Sequence, residues 1–366
     1  MISNGRQIKT HLFGLLCFLF FLCHFLQAQE YAIGADLSFL KQAEDQGITF
    51  KENGEAKPGL QIFTGHGYNW IRLRLFHTPP RLPNDLQYTI SLAKDAKSRG
   101  MKFLLDYHYS DTWADPGKQF LPAAWEELSH QELVDSVYEY TRSTMIAFRK
   151  AGAFPDMVQI GNEISNGMLW PDGKLPENWD NFTELVQAGI HGVYASCGNN
   201  PCPVIMIHID KGGNREFTER WFDKFHSYGI RYDVIGQSYY PWWHGSLLDL
   251  RECLNWTARA YQKDIIVVEA AYNWTPREYK DTLAPFPETP EGQREFLEEV
   301  NRIVLNVPDG KGCGIFWWEP ATARMGTRSF FDEEKNVLPV IHVFDRYTSC
   351  LLYTSDAADE EDSVDL

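Results

Sequence analysis

Eight short apolar runs, each closing on polar or aromatic residues, limit what this 366-residue chain can become. They fall at Tyr31–Asp36, Trp70–Leu75, Lys102–His108, Met157–Glu163, Val204–Asp210, Asp233–Tyr239, Ile265–Glu269 and Gly314–Glu319. Stretches with helical spacing lie between most of them, over Leu86–Arg99, Gln131–Lys150, Trp179–Ser196, Glu216–Ser227, Ser246–Gln262 and Glu291–Asn306. Asp85, Ser129 and Thr289 stand where small polar side chains cap helix starts, and Ser129 with Glu132 has capping-box spacing. Strands apolar on both faces and separated by helices predict a parallel sheet covered on both sides. Repeated right-handed crossovers close such a sheet into a (β/α)8 TIM barrel of the α/β class. An open doubly wound sheet lacks the G-x-G-x-x-G that should follow its first strand. No linker rich in Pro, Gly or Ser interrupts the chain, so a single domain is expected over residues 29–349.

The two ends read differently. Arg6 and Lys9 precede an apolar run from Leu12 to Leu26, and Ala28 suits a cleavage site, so residues 1–28 are expected to be a signal peptide. The run is short for a membrane span, which needs about 20 residues. A secreted, periplasmic or cell-surface protein with no membrane contact in its mature form is therefore expected. The segment "CLLYTSDAADE" from Cys350 matches what a transposase sequencing adapter encodes when translated, so residues 350–366 are expected to be a non-native or disordered acidic tail. Net charge is −16; six of the acids lie after Ser349, and two of the bases before residue 29, which leaves −12 between. That balance argues against nucleic acid and anionic lipid as partners and suits a neutral substrate, with a monomer as the expected state.

Four cysteines remain between those ends. Cys197 and Cys202 flank a turn, Gly-Asn-Asn-Pro, that can close a short disulfide loop. Cys253 with Cys313 is the leftover candidate pair, and the spacings match no common zinc pattern.

In a barrel all strand ends share one rim, and that rim carries the active site. Strands four and seven, "MVQIGNE" and "IIVVE", each carry an aliphatic run to a glutamate, and Glu163 and Glu269 would face each other across the mouth. Such a pair suits glycoside hydrolysis, with one carboxyl donating a proton while the other attacks the sugar or activates water. Carboxyls about 5–5.5 Å apart mark a retaining enzyme, and about 6.5–9.5 Å an inverting one. The chain holds 12 Trp. Those at strand ends, Trp113, Trp242, Trp243, Trp317 and Trp318, could form stacking platforms, whereas Trp70, Trp125, Trp179, Trp221 and Trp256 read as packing residues. Adjacent side chains point opposite ways, so only one of Trp317 and Trp318 can face the cleft, and Trp318, next to Glu319, is the expected one.

The runs "GADLSFL" (34–40), "IRLRLF" (71–76), "DYHYSDTWADPGKQ" (106–119), "QIGNEISNGMLWPDG" (159–173), "IMIHIDKG" (205–212), "IGQSYYPWWHG" (235–245) and "CGIFWWEPA" (313–321) resemble the arabinogalactan endo-β-1,4-galactanases of glycoside hydrolase family 53. The likeness covers about residues 31–345. It implies a retaining enzyme acting on β-1,4-galactan of pectic type I arabinogalactan, with Glu163 as acid/base and Glu269 as nucleophile. It further implies Asn162 on the sugar 2-hydroxyl, Arg72 beside the nucleophile, Tyr239 or Tyr240 steadying the same carboxylate, and His108 at the sugar site. Asp36, Asp111, Trp113, His208, Asp210, Trp243 and Trp318 join as substrate-binding or supporting residues. The roles demand unequal acidity: the Glu269 charge should raise the pKa of Glu163, and Arg72 should lower that of Glu269. No cofactor is required. Bacterial relatives can carry a structural calcium after strand seven, where Glu278, Asp281 and Glu288 offer oxygens, although an acidic solvated loop fits those residues as well. After Glu269 this chain has Ala-Ala-Tyr-Asn-Trp where the family usually shows Thr-Ala-Tyr-Pro-Trp. A barrel glycosidase acting on mannan, cellulose or xylan, and a sugar-binding barrel without catalysis, are the alternatives.

Overall fold

The computed structural model describes residues 30–279, 283–324 and 326–346, so the expected signal peptide, the tail and Asp281 lie outside the described residues. Eight parallel strands form a closed barrel: β1 (Ala32–Asp36), β2 (Trp70–Leu75), β3 (Lys102–Tyr107), β4 (Met157–Ile160), β5 (Val204–Ile209), β6 (Val234–Tyr239), β7 (Asp264–Ala270) and β8 (Gly312–Trp318). Each pairs with its neighbours in sequence, and β1 closes the ring on β8. The helices are α1 (Leu40–Asp45), α2 (Gly59–Gly65), α3 (Leu86–Ser98), α4 (His130–Lys150), α5 (Trp179–Ser196), α6 (Arg215–His226), α7 (Leu247–Tyr261) and α8 (Pro290–Leu305). Asp85 and Thr289 accept amide hydrogens at the starts of α3 and α8, and the capping box of Ser129 and Glu132 opens α4. Among the described residues no helix is long and apolar enough to cross a membrane.

Two barrel units depart from the expected helix. Between β1 and β2 the chain makes α1, a two-residue hairpin (Lys51–Glu52 with Glu55–Ala56) and α2; after β8 it closes with a 3-10 turn over Pro339–Phe344. These pieces are too short to repeat an apolar period, so periodicity could not reveal them.

Alternation along the strands stacks the lumen in layers. Ala32, Trp70, Leu104, Met157, Met206, Val234, Ile266, Val268 and Phe316 fill the lower layer. The Phe316 ring fills the space where a Cβ on Gly34 would sit, with its nearest atom 2.2 Å from that position, so Gly34 lets the ring cross the lumen. Two residues further along β2, β3, β4 and β5 the layer turns polar: Arg72 after Trp70, Asp106 after Leu104, Gln159 after Met157 and His208 after Met206, all fully buried. The apolar plug closes the barrel, and the polar layer above it becomes the floor of a cleft.

Cys197 and Cys202 form the expected disulfide. Cys253 and Cys313 do not; both are free and buried. Cys313 belongs to the luminal layer, whereas the Cys253 thiol lies 3.6 Å from Thr218 Oγ1 between α7 and α6. The even cysteine count carried no information about that separation. Burial pushes the two thiols up to about 11 and about 12, which leaves them unreactive at neutral pH.

Candidate active site

The site is built outward from Arg72. Its guanidinium is wholly buried in the lumen. Nη1 reaches Asp36 at 3.0 Å and Glu269 at 2.8 Å, while Nη2 reaches Asp106 at 2.8 Å, Asn162 Oδ1 at 2.9 Å and Gln159 Oε1 at 3.2 Å. One cation thus holds three carboxylates and two amides contributed by β1, β3, β4, the β4 end and β7. Burial opposes ionisation of Asp106, but Arg72 and His108 outweigh it and hold this carboxyl at about 2. His108 Nδ1 accepts the Ala114 amide, so Nε2 carries the hydrogen and lies 3.1 Å from Asp106. Asn162 is locked in turn: Oδ1 takes hydrogens from Arg72 and Gln159, and Nδ2 gives one to Ala114 O, which leaves its second N–H.

Glu269 enters the cleft through an irregularity. Gln237 pairs with Val267 but Ser238 pairs with Glu269, so β7 carries an extra residue at Val268. The register with β8 also shifts there. Val268 can therefore fill the lumen while the next residue, Glu269, still faces inward, which is how a bulge re-aims a side chain. Tyr240 donates its hydroxyl to Glu269 Oε2 at 2.8 Å. Tyr239 is a correction: it points outward, donates to Gly245 O and stacks on Phe296, with no part in the site.

Glu163 follows the end of β4 in a left-handed conformation, φ 47° and ψ 53°, after Gly161 at φ 78°. A non-glycine residue there is held against its backbone preference by its surroundings. Ser238 donates to its Oε1 at 2.6 Å. An oxygen of Glu163 and an oxygen of Glu269 lie within 4.8 Å of each other. Burial lifts both carboxyls. Glu163 rises further because the Glu269 and Asp210 charges face it, whereas Arg72 and the Tyr240 hydroxyl hold Glu269 back. Arg72 does act on Glu269 as expected, but burial is the larger effect, so Glu269 ends above rather than below its ordinary value.

Around the pair lies a cleft of about 460 Å³ lined by His108, Trp113, Asn162, Asp210, Tyr240, Trp243 and Trp318, together with Arg74, Lys211, His244 and Arg328. Trp243 is 65% exposed, a ring face open to solvent at the rim. Trp318 lines the cleft as expected; Trp317 turns away and donates its indole N–H to Arg328 O. Asp36 and His208 are buried supports. Asp210 accepts from Ser165 and pairs with Lys211 at 2.7 Å. Asp111 is a loop brace rather than a cleft residue: it accepts the amides of Thr78 and Ala123. Sequence reasoning missed Arg74, Gln159 and Ser238 as site residues. Arg74 pairs with Glu319 at 2.8 Å and lies 4.3 Å from the Trp113 ring. Gln159 was detectable as the lone polar residue of β4.

The metal candidates fare poorly. Glu288 accepts hydrogens from Asn273 Nδ2 and the amides of Arg277 and Glu278, and Glu278 pairs with Arg328 at 3.1 Å, so neither fits a calcium cage built from six to eight oxygens. Glu163, His208 and Glu269 lie close enough to share an ion, yet both His208 nitrogens are used by protein partners. His66 likewise spends its two nitrogens on Asp345 and Glu52, at 2.6 and 2.8 Å.

A closed parallel barrel whose fourth and seventh strands bring two buried glutamates together in an aromatic cleft defines a barrel glycoside hydrolase. Residues 32–349 match the family model described as glycosyl hydrolase family 53, and the chain belongs to that family. It is 40% identical over 314 residues to an uncharacterised protein of Niallia circulans, covering 81% of this chain and 85% of that one. It is 33% identical over 346 residues to an arabinogalactan endo-β-1,4-galactanase of Cellvibrio japonicus, covering 86% and 90%. A solved structure from a study of two fungal β-1,4-galactanases superposes with a TM-score of 0.79 at 33% identity, covering 86% and 99%.

Proposed function

We propose that the chain is a secreted, monomeric endo-β-1,4-galactanase that hydrolyses β-1,4-galactan with retention of configuration. The observation that carries the reading is the approach of the two carboxyls, an oxygen of Glu163 lying within 4.8 Å of one of Glu269, which supports the shorter separation of a double displacement. Glu269 attacks the anomeric carbon as Glu163 gives its proton to the leaving glycosidic oxygen. The glycosyl-enzyme ester removes the Glu269 charge, so Glu163 becomes more acidic and, as carboxylate, takes a proton from water that attacks the same carbon. The free Asn162 N–H suits the sugar 2-hydroxyl, and Trp113, Trp243 and Trp318 supply faces for a neutral polymer. These side chains and water complete the reaction, and no cofactor takes part.

Reducing-end assays on β-1,4-galactan, mannan, xylan and cellulose are expected to show product from galactan alone, with the β-anomer released first by NMR. Product from mannan but not galactan would move the chain to another substrate, and an α-anomer first would make the enzyme inverting.

The pH profile follows from the raised carboxyls. Activity needs Glu269 ionised and Glu163 protonated, so kcat/KM rises as pH passes the Glu269 pKa and falls through that of Glu163. Burial lifts both above the usual 4.5, and both limbs should stand above that value. An acidic limb below pH 4 would mean that Arg72 and Tyr240 overcome burial.

Glu163 also carries a stability cost. Its folded pKa lies above the unfolded one, so its contribution is intact below the unfolded value and is lost as pH rises through the folded pKa. Glu163→Gln keeps the shape and removes the charge. The variant should melt higher than wild type at pH 8, by about 1–2 °C for each kcal/mol relieved in a barrel of this size, and equally at pH 4. Equal melting at both values would show that the buried carboxyl is not strained.

A further inference from the structure

We infer that His208 and Ser238 form a one-way hydrogen-bond circuit that confines the exchangeable proton of Glu163 to its Oε2 oxygen. The inference rests on the acid/base reading of Glu163 and adds two positioning residues to it.

Each step of the circuit removes a choice. The backbone N–H of Glu163 faces His208 Nδ1 at 3.4 Å. An amide nitrogen only donates, so Nδ1 keeps its lone pair and the ring hydrogen sits on Nε2. Nε2 lies 2.8 Å from Ser238 Oγ, which must therefore accept. The single Ser238 hydrogen then goes to Glu163 Oε1, 2.6 Å away. The circuit starts at the Glu163 backbone and ends at its own side chain. Oε1 is an acceptor in both protonation states, and Oε2 alone can carry the catalytic proton.

The surroundings keep the circuit running in this direction. His208 and Ser238 are completely buried, so no water competes for either group. Burial also holds the imidazole pKa well down, and with Arg72 nearby the ring stays neutral. A doubly protonated ring would turn Nδ1 into a donor against the Glu163 N–H and break the first link. The left-handed backbone of Glu163 gains a purpose here, because it aims the N–H and the carboxyl at two members of the same circuit.

Two functional consequences separate this role from simple packing. The fixed oxygen keeps the proton donor in one rotamer, which matters only where the leaving group needs protonation. The Ser238 donation also favours the ionised form, which Glu163 must reach to act as base in the second step.

The test uses Ser238→Ala and Glu163→Ala, each against wild type, on β-1,4-galactan and on a 2,4-dinitrophenyl β-galactobioside whose leaving group needs no proton. For Ser238→Ala the expected loss in kcat/KM is about tenfold on galactan and less than about twofold on the aryl substrate. Azide, which attacks without a base, should restore kcat on the aryl substrate. An equal loss on both substrates, or none on galactan, overturns the circuit. Glu163→Ala tells the two failures apart. If it shows the leaving-group split and Ser238→Ala does not, the circuit alone is wrong; if Glu163→Ala shows no split, the acid/base reading falls and the circuit with it.

Discussion

Glu269→Gln is expected to lower turnover of β-1,4-galactan by about 10⁴-fold or more while the barrel remains folded. The amide cannot form the glycosyl ester, and the neighbouring carboxyls beneath and beside it are engaged by arginines. Asp36 and Asp106 lie beneath, each bound to Arg72. Glu319 is occupied by Arg74. The fold should survive, because Gln has nearly the shape of Glu: its carbonyl oxygen can still accept from Arg72, while its NH2 can donate to the Tyr240 hydroxyl oxygen, turned to accept. Melting temperature and kcat on the same preparation check both halves. A variant that keeps even a tenth of wild-type turnover would remove Glu269 from the nucleophile role.

Arg72→Met is expected to be the most destabilising single change in the site, by about 3–5 kcal/mol, because it leaves Asp36, Asp106 and Glu269 buried without their shared cation. Stability should also acquire a new pH dependence. In the wild type, Asp106 has its pKa depressed to about 2, so its contribution is present above the unfolded value and is lost as pH falls toward 2. Without Arg72 that carboxyl is protonated more easily, and the gap between variant and wild type should narrow as pH is lowered from 7 to 4. Urea denaturation at the two pH values measures it. A pH-independent gap would mean that the loss is one of packing volume rather than charge. Arg74 cannot take over, since its guanidinium is committed to Asp36 and Glu319.

The strands were legible because each combines an apolar run with a polar end, and Trp70–Leu75 coincides with β2 at both boundaries. The two glutamates were legible for the same reason. What could not be read was orientation wherever the backbone departs from strict alternation. Along "IIVVEA" a regular strand would put Val268 and Glu269 on opposite faces, and only the extra residue in β7 lets both serve the interior. Tyr239 and Tyr240 are equally aromatic neighbours, and the parity of β6 that turns Ser238 and Tyr240 inward is set by packing, not by residue type. Arg74 was visible as the next inward position after Arg72, yet nothing in the sequence pairs it with Glu319, 245 residues away. Ser238 is too small and too common a residue to announce itself. Its role appears only once His208 and Glu163 stand on either side of it.

Trapping with a 2-deoxy-2-fluoro-β-galactobiosyl fluoride tests the carboxylate pair most directly, because the fluorine slows breakdown of the glycosyl-enzyme and lets it accumulate. Mass spectrometry of the intact protein should show one added glycosyl group, and peptide mapping should put it on Glu269 within Asp264–Ala270. A label on any other side chain, or hydrolysis of the probe with inversion and no adduct, would contradict it.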